Sequence, residues 1–398
     1  MSDILSEIYQ PIVAHNISKG REIMKKNYGV VISLLFLFLF GCSSQDNKSN
    51  NHSTDDARLE PVEQAYDGCD KLLGSDHGSF KLPEKISKVV FNKLYSLSCN
   101  TLKNDDMANA EKLFKTFYGD DFDESALSTD NGGIVYQAGI NTSAYWGMDI
   151  ALYSADYEFQ ENSSGQTYVV WLDEGGITLD GKAIDVTDID SGLNNYNADF
   201  YKDFTINTKE FSVNDTVGRI DFTASLDYEN VPFQYSPSAY SRADNENNMS
   251  YWTFLQVTGS IGEDGKFDFI NANAPLNILD KTEKTEMIPF DEAVKILETE
   301  LAKGSYYEFS NVELMYCCLA NQPALDMTEE DNVAKDEQLA EEYNKTPKTF
   351  EPMWCFEING GDGASEGAKE YIKVNALDGE VFVCLLYTSP SPRDTERS

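Results

Sequence analysis

Between residues 85 and 97 the apolar side chains Ile86, Val89, Val90, Leu94 and Leu97 recur at helical spacing, and a second helix is predicted around Met107 to Phe117. From about Gly132 to Ile278 the pattern changes to short runs of Tyr, Val, Ile, Thr and Phe broken by Gly, Asp and Asn, which predicts strands and turns. Asp180-Gly181 and Asp264-Gly265 each lie between β-prone runs, so both predict hairpins. Near Met287 the helical period returns. The run IPFDEAVKILETELAKG opens on Pro289 with Asp291 and Glu292 and ends at Lys303-Gly304, a helix marked at both ends. After it come VELMYCCL (312–319), an acidic helix-prone stretch (328–345), PMWCFEI (352–358), a glycine-rich loop, YIKVNA (371–376), the turn at Asp378-Gly379 and VFV (381–383). Helix, strand, strand, turn, strand packs one helix on an antiparallel sheet. The expected fold class is therefore α+β: a small helical N-terminal region (61–130), a β-rich antiparallel middle domain (131–285) and a C-terminal helix packed on an antiparallel sheet (286–383). No internal repeat is present at a solenoid period.

Ahead of these elements, residues 24–44 read MKKNYGVVISLLFLFLFGCSS, running from Lys25 and Lys26 through an apolar stretch to Gly41-Cys42. This is the layout of a secretory signal, and the stretch is shorter than the roughly 20 residues that span a bilayer as a helix. Leu39-Phe40-Gly41-Cys42 resembles the lipobox of bacterial lipoproteins, with Phe40 in place of the usual small residue. The resemblance implies that Cys42 carries a lipid and becomes the first residue of a chain held on the extracytoplasmic face of a membrane, acyl chains contributing about 0.8 kcal/mol per buried CH₂. Residues 43–60 are rich in Ser, Asn, Asp and Lys and read as a flexible tether containing His52. Residues 1–23 read as a mis-start upstream of Met24. Residues 384–394, CLLYTSPSPRD, resemble the translation of a sequencing adapter, which sets residues 384–398 outside the fold.

Charge narrows the class of partner. With 31 Lys+Arg against 68 Asp+Glu the formal net charge is −37, a field that repels phosphate backbones and excludes nucleic-acid binding through a basic surface. In an oxidising exterior some of Cys69, Cys99, Cys317, Cys318 and Cys355 are expected to pair: Cys69 with Cys99, and Cys317 or Cys318 with Cys355. A small buried apolar role is the competing reading for each. No CxxC motif is present, so no structural zinc is expected.

Candidate chemistry is sparse. Past the signal region only His52 and His77 remain of the histidines, so a Ser-His-Asp or Cys-His system would have to use His77. Without a GxSxG elbow or an HExxH helix, His77 is expected to be a surface residue. A glycosidase needs only two carboxylates about 5–10 Å apart, and no spacing singles out a pair. Asp185, Asp188, Asp190 and Asn194 form one acidic cluster and Asp362 with Glu366 another, but neither has EF-hand spacing. Both read as solvated Asx turns rather than a calcium site, and no cofactor is expected. Tyr235, Tyr240, Tyr251 and Trp252 surround a polar loop; they read either as an aromatic binding surface for sugar or peptide or as strand-core packing.

Asp291-Glu292-Ala293 in the late helix, Pro352-x-Trp354, and Tyr371-x-x-Val374-x-Ala376-x-x-Gly379-x-Val381 together resemble the PepSY family and the related C-terminal domains of YycH/YycI-type cell-envelope regulators. The resemblance covers the C-terminal unit and none of the β-rich middle, and the insertion between Leu319 and Pro352 departs from it. It implies a non-catalytic extracytoplasmic domain that binds or restrains another protein, and it transfers no catalytic residue. The expected function is a lipid-anchored interaction or regulatory module with an envelope protein partner. The alternative is a solute- or glycan-binding surface lipoprotein, and an envelope hydrolase using carboxylates comes third.

Overall fold

The computed structural model describes residues 57–101, 107–130, 133–138, 143–146, 149–154, 167–171, 177–179, 182–184, 186–197, 203–214, 219–236, 239–241, 249–251, 255–262, 266–273, 276–302, 306–318, 346–359 and 370–382. Cys42 and the lipobox, His52, Asp185, Trp252, the stretch 328–345, Asp362 and Glu366 lie outside the described residues. Within them the fold is α+β, with antiparallel sheets and few helices. The described residues form two compact units, one within 101–225 and 256–276, the other within 57–100, 226–255 and 277–382. The second unit is built from segments distant in sequence, the 94–101 strand pairing with the 348–358 strand far along the chain.

The first unit is the expected β-rich region. Strands Leu127–Asp130, Gly133–Gln137, Ser143–Trp146, Asp149–Tyr153, Phe267–Asn273, Gln256–Ile261, Arg219–Tyr228, Thr205–Asn214 and Thr167–Trp171 neighbour one another in that order. Both predicted hairpins form, with Ile177–Leu179 against Lys182–Ile184 and Gln256–Ile261 against Phe267–Asn273. Gly259 sits where a Cβ would run into the Phe269 carbonyl and the Phe222 ring, so this strand crossing accepts only glycine. The predicted helix is present as Met107–Tyr118, burying Ala110, Leu113 and Phe114.

A helix the sequence did not suggest spans Val186–Asn197 and contains Asp188, Asp190 and Asn194 of the acidic cluster, where a turn is expected. Asp190 accepts hydrogen bonds from the Thr208 amide (2.8 Å) and hydroxyl (2.6 Å), while the Asn194 side chain bonds the Ile206 amide and carbonyl, both at 2.9 Å. These two residues tie the helix to the strand Thr205–Asn214, which is why they recur four apart on one face. Burial raises the Asp190 carboxyl above its ordinary value, against the lowering effect of the Thr208 bonds.

The second unit holds the predicted C-terminal order. Its sheet runs Leu276–Lys284, Leu94–Thr101, Lys348–Ile358, Tyr307–Cys318, Phe80–Lys81, with Tyr371–Asn375 on the 348–358 strand and Val381–Phe382 on Tyr371–Asn375. The helix Phe290–Leu301 starts after Pro289, carries Asp291 and Glu292 in its first turn where the helix dipole favours them, and buries Phe290, Ala293, Val294, Leu297 and Leu301.

The helix expected over 85–97 is absent. Residues up to 93 run without regular secondary structure except a bridge at Ser87, and Leu94–Thr101 is a strand. Its interior has a period of two, with Tyr95, Leu97 and Cys99 buried and Ser96 and Ser98 less so. That alternation, extended by sheet pairing, overrode the helical spacing of the same leucines. Val90, assigned to the apolar helical face, is 81% exposed.

Candidate functional site

Strand alternation gives the C-terminal sheet two chemically different faces. In the register of the 307–318 and 348–358 strands, Val312 lies opposite Phe356, Leu314 opposite Trp354 and Cys318 opposite Phe350, which sets these side chains on one face. This face packs on the helix. The Phe290 ring meets Trp354 at 5.6 Å and Phe356 at 6.3 Å, Tyr66 meets Trp354 edge-on at 5.3 Å, and the Trp354 indole donates to the Ile288 carbonyl at 2.8 Å. Cys99, opposite Lys348, belongs to the same side, and burial pushes its thiol up to about 12.

The other face pairs Glu313 with Cys355, Met315 with Met353, and Cys355 with Lys373. Tyr235, Tyr371 and Phe382 join Met315, Cys317, Met353 and Cys355 there in one buried cluster. Lys373 is wholly buried, so its ammonium needs partners inside the protein. It donates to Gln234 Oε1 at 2.5 Å and lies 5.7 Å from the centre of the Tyr371 ring. Gln234 in turn donates to the Ser236 carbonyl at 2.7 Å, and the Tyr235 hydroxyl donates to Glu313 at 3.3 Å. Cys317 and Cys355 Sγ are 3.6 Å apart. Burial works to raise the Cys317 thiol, but the Cys355 hydrogen bond and the Lys373 charge outweigh it and hold Cys317 below the ordinary thiol value. Burial first, and then the Cys317 bond and charge, hold the Cys355 proton on.

The structure thus sorts the expected site residues. All five cysteines are buried and none is disulfide-bonded among the described residues. Of the alternatives Cys317 or Cys318, alternation leaves only Cys317 on the face of Cys355. Cys318 lies on the opposite face with Cys99, whose thiol feels its charge. Cys69 interacts with Asp70 and Lys88, so the Cys69–Cys99 pairing is replaced by other neighbours for both residues. Tyr235 is 3% exposed and its hydroxyl is spent on Glu313, so it is core and not part of an aromatic surface. Tyr240 and Tyr251 stand on a two-stranded ribbon, opposite Ser250 and Ala239 respectively.

His77 also departs from expectation: its side chain is 10% exposed and its ring stacks on Phe80 at 4.9 Å. The ring lies between Ser75 Oγ, 2.6 Å from Nε2, and Glu298 Oε1 at Nδ1, the connectivity of a serine–histidine–carboxylate relay. Two features of its surroundings bear on its chemistry. Ser75 Oγ donates to the Leu72 carbonyl, an acceptor that competes with Nε2 for the same proton. Four of the neighbouring amides that could face an oxyanion are spent: Gly74 on Pro83, Ser75 on Leu72, His77 on Phe80 and Gly78 on Asp76. What the relay does is fasten the 75–82 loop to the helix Phe290–Leu301.

Among the described residues no group of His, Cys, Asp or Glu is arranged to hold a metal ion, and no helix is long and apolar enough to cross a membrane. No protein-family model matches the chain, and no curated protein matches it. The chain is similar to an uncharacterized protein from Eubacterium rectale ATCC 33656 known from a crystal structure, with 12% identity, a TM-score of 0.41, and coverage of 76% of this chain and 90% of that one. A likeness this distant carries no functional information.

Sequence reasoning missed Ser75, Glu298, Gln234, Glu313 and Lys373. Lys373 had a readable signal: it is the charged residue within YIKVN, a strand with every position buried. A lysine in such a strand is either an error of register or a buried charge with a partner.

Proposed function

We propose that this chain is a lipid-anchored extracytoplasmic protein, non-catalytic, acting as an interaction or regulatory module at the cell envelope. The lipobox resemblance at Cys42 supplies the anchor, and the resemblance of the C-terminal unit to PepSY and YycH/YycI-type domains supplies the role. The observation that carries the non-catalytic reading is the setting of the Ser75–His77–Glu298 relay, whose serine hydroxyl donates to the Leu72 carbonyl and four of whose neighbouring amides are already bonded. The net charge of −37 favours a basic partner surface.

The test is cross-linking of the tagged full chain in intact bacterial cells, with mass spectrometry of what is joined and a Cys42→Ala variant alongside. The expected result is fatty-acid labelling that vanishes in Cys42→Ala, and a defined envelope protein whose association weakens with salt. Retention on a glycan array without any protein partner would replace this reading by the solute- or glycan-binding alternative. Ester hydrolysis that is lost in Ser75→Ala would end the non-catalytic reading.

A further inference from the structure

The two sulfurs buried inside the C-terminal sheet are the least explained chemistry in the molecule. Cys317 and Cys355 touch at 3.6 Å with neither side chain exposed, next to a lysine that is itself sealed from water. Two thiols of an inert core need no cation beside them; a thiol that must act as a nucleophile does. The 307–318 and 348–358 strands that carry them are adjacent, and the pair joins positions 38 residues apart in sequence. We propose that Cys317 and Cys355 are a redox pair: on meeting a disulfide oxidant they lose two electrons and close to a buried disulfide, and Lys373 sets how readily that bond is reduced again.

The chemistry balances with an oxidant of the class X–S–S–X, such as oxidised glutathione. The Cys317 thiolate attacks one sulfur, the X–S bond breaks and X–S⁻ leaves, giving a mixed disulfide. Cys355 gives up its proton to an X–S⁻ and attacks the Cys317 sulfur, expelling the second X–S⁻ as the internal bond forms. Two protein thiols are oxidised and one disulfide is reduced to two thiols, one of which carries off the Cys355 proton. The electrostatics agree with the order of attack, since Cys317 is the thiol held low by Lys373 and Cys355 the one held high.

Lys373 acts through Cys317, as a positioning residue. Its ammonium stabilises the reduced, anionic state and has no thiolate to face once the bond has closed, so it makes the disulfide easier to reduce. Glu313, Tyr235, Tyr371 and Gln234 face the same interior and remain as its polar neighbours in the closed state. Cys318 is excluded by its place on the helix-covered face.

The experiment unfolds the full chain with reductant and refolds it across a series of reduced-to-oxidised glutathione ratios. The samples are quenched by alkylation and digested for mass spectrometry. Because the oxidant is supplied, the outcome is independent of whether the chain is exported. The expected product is a peptide pair joined through Cys317 and Cys355, lighter by two hydrogens, present in wild type and Cys318→Ser and absent in Cys355→Ser. Full alkylation of both Cys317 and Cys355 at every ratio, or a bond between another pair such as Cys99 and Cys318, would overturn the proposal. In Lys373→Met the equilibrium with glutathione is expected to move toward the disulfide by about tenfold, a change of about 30 mV for a two-electron couple. Lys373→Gln serves as the second variant if the first does not refold, and an unchanged equilibrium in the variant that refolds removes the role assigned to Lys373.

Discussion

Cys317 and Cys318 are neighbours in sequence and live in different chemistry. Cys318 shares its face with Trp354, Phe350 and Cys99, under a helix that contributes Phe290 and aliphatic side chains. Cys317 shares its face with Glu313, Cys355, Lys373 and two tyrosines. Both faces exclude water, so the contrast is not one of inside against outside. The aromatic face gains from burying apolar area and from ring contacts, which depend little on a single atom's position. The polar face gains only if every donor finds its acceptor, which makes it sensitive to single atoms and gives it reactivity that the other face lacks.

Trp354→Ala is expected to have the largest effect, because it removes the ring that Phe290 and Tyr66 pack against and leaves the Ile288 carbonyl without its donor. The expected loss is about 3–5 kcal/mol of unfolding free energy in urea denaturation. Lys373→Met comes next, at about 1–3 kcal/mol, the penalty for leaving Gln234 Oε1 buried without its donor while a side chain of similar volume fills the space. If Lys373→Met proves more damaging than Trp354→Ala, the polar face and not the aromatic one holds the sheet together, and the contrast drawn above is reversed.

The two thiols sharpen the contrast through pH. Cys99 on the aromatic face is raised from 9.0 to about 12, so its contribution to stability is fully present below pH 9 and is lost as pH climbs toward 12. Cys317 is shifted down, so its contribution is present above the unfolded thiol's value and is lost as pH falls through its folded value. In reducing buffer, Cys99→Ala should therefore make the alkaline fall in stability shallower and Cys317→Ala should make it steeper, each by up to about 1.4 kcal/mol per pH unit. Urea midpoints measured from pH 8 to 10.5 check the signs, and slopes that change in the same sense would mean the two faces are electrostatically alike. Tyr66, Tyr316 and Tyr371 are raised by desolvation as well and steepen the alkaline loss in all variants equally.

Legibility in the sequence followed the same division. The aromatic face could be read directly, because the helix 290–301 and its strands have clean periodicity and the helix a marked start at Pro289. The Asp-Gly hairpins were equally plain, since a local turn rule decides them. Leu94 and Leu97 misled because their spacing satisfies both a helix and a strand, and the deciding partner, the 348–358 strand, lies about 250 residues away. The acidic run at 186–197 misled in the opposite sense: Asp190 and Asn194 look like turn residues until the 205–214 strand supplies the groups they bond. The polar face was the least legible, since Gln234, Glu313 and Lys373 come from three distant segments and no local pattern links them. The alternation of Cys317 with Cys318 and the charge of Lys373 within YIKVN carried the hints, and neither could be used before the register was known.

The smallest effect is expected at the rim, where neither face is involved. Glu298 leaves the helix 290–301 to meet His77 Nδ1, with its side chain 42% exposed. A contact that open to water contributes about 0–1 kcal/mol. Glu298→Gln keeps the shape and an acceptor oxygen, so it should lower stability by less than about 1 kcal/mol at neutral pH and leave the Trp354 fluorescence environment unchanged. The 75–82 loop should show the difference instead, as faster amide exchange at His77 and Leu82, whose amides bond Phe80 and Ser75. A loss above about 2 kcal/mol would mean that the relay fastens the helix over the aromatic face and is part of that core. Unchanged exchange in the loop would mean that Glu298 fastens nothing, and the ring of His77 is then held by Phe80 and Ser75 alone.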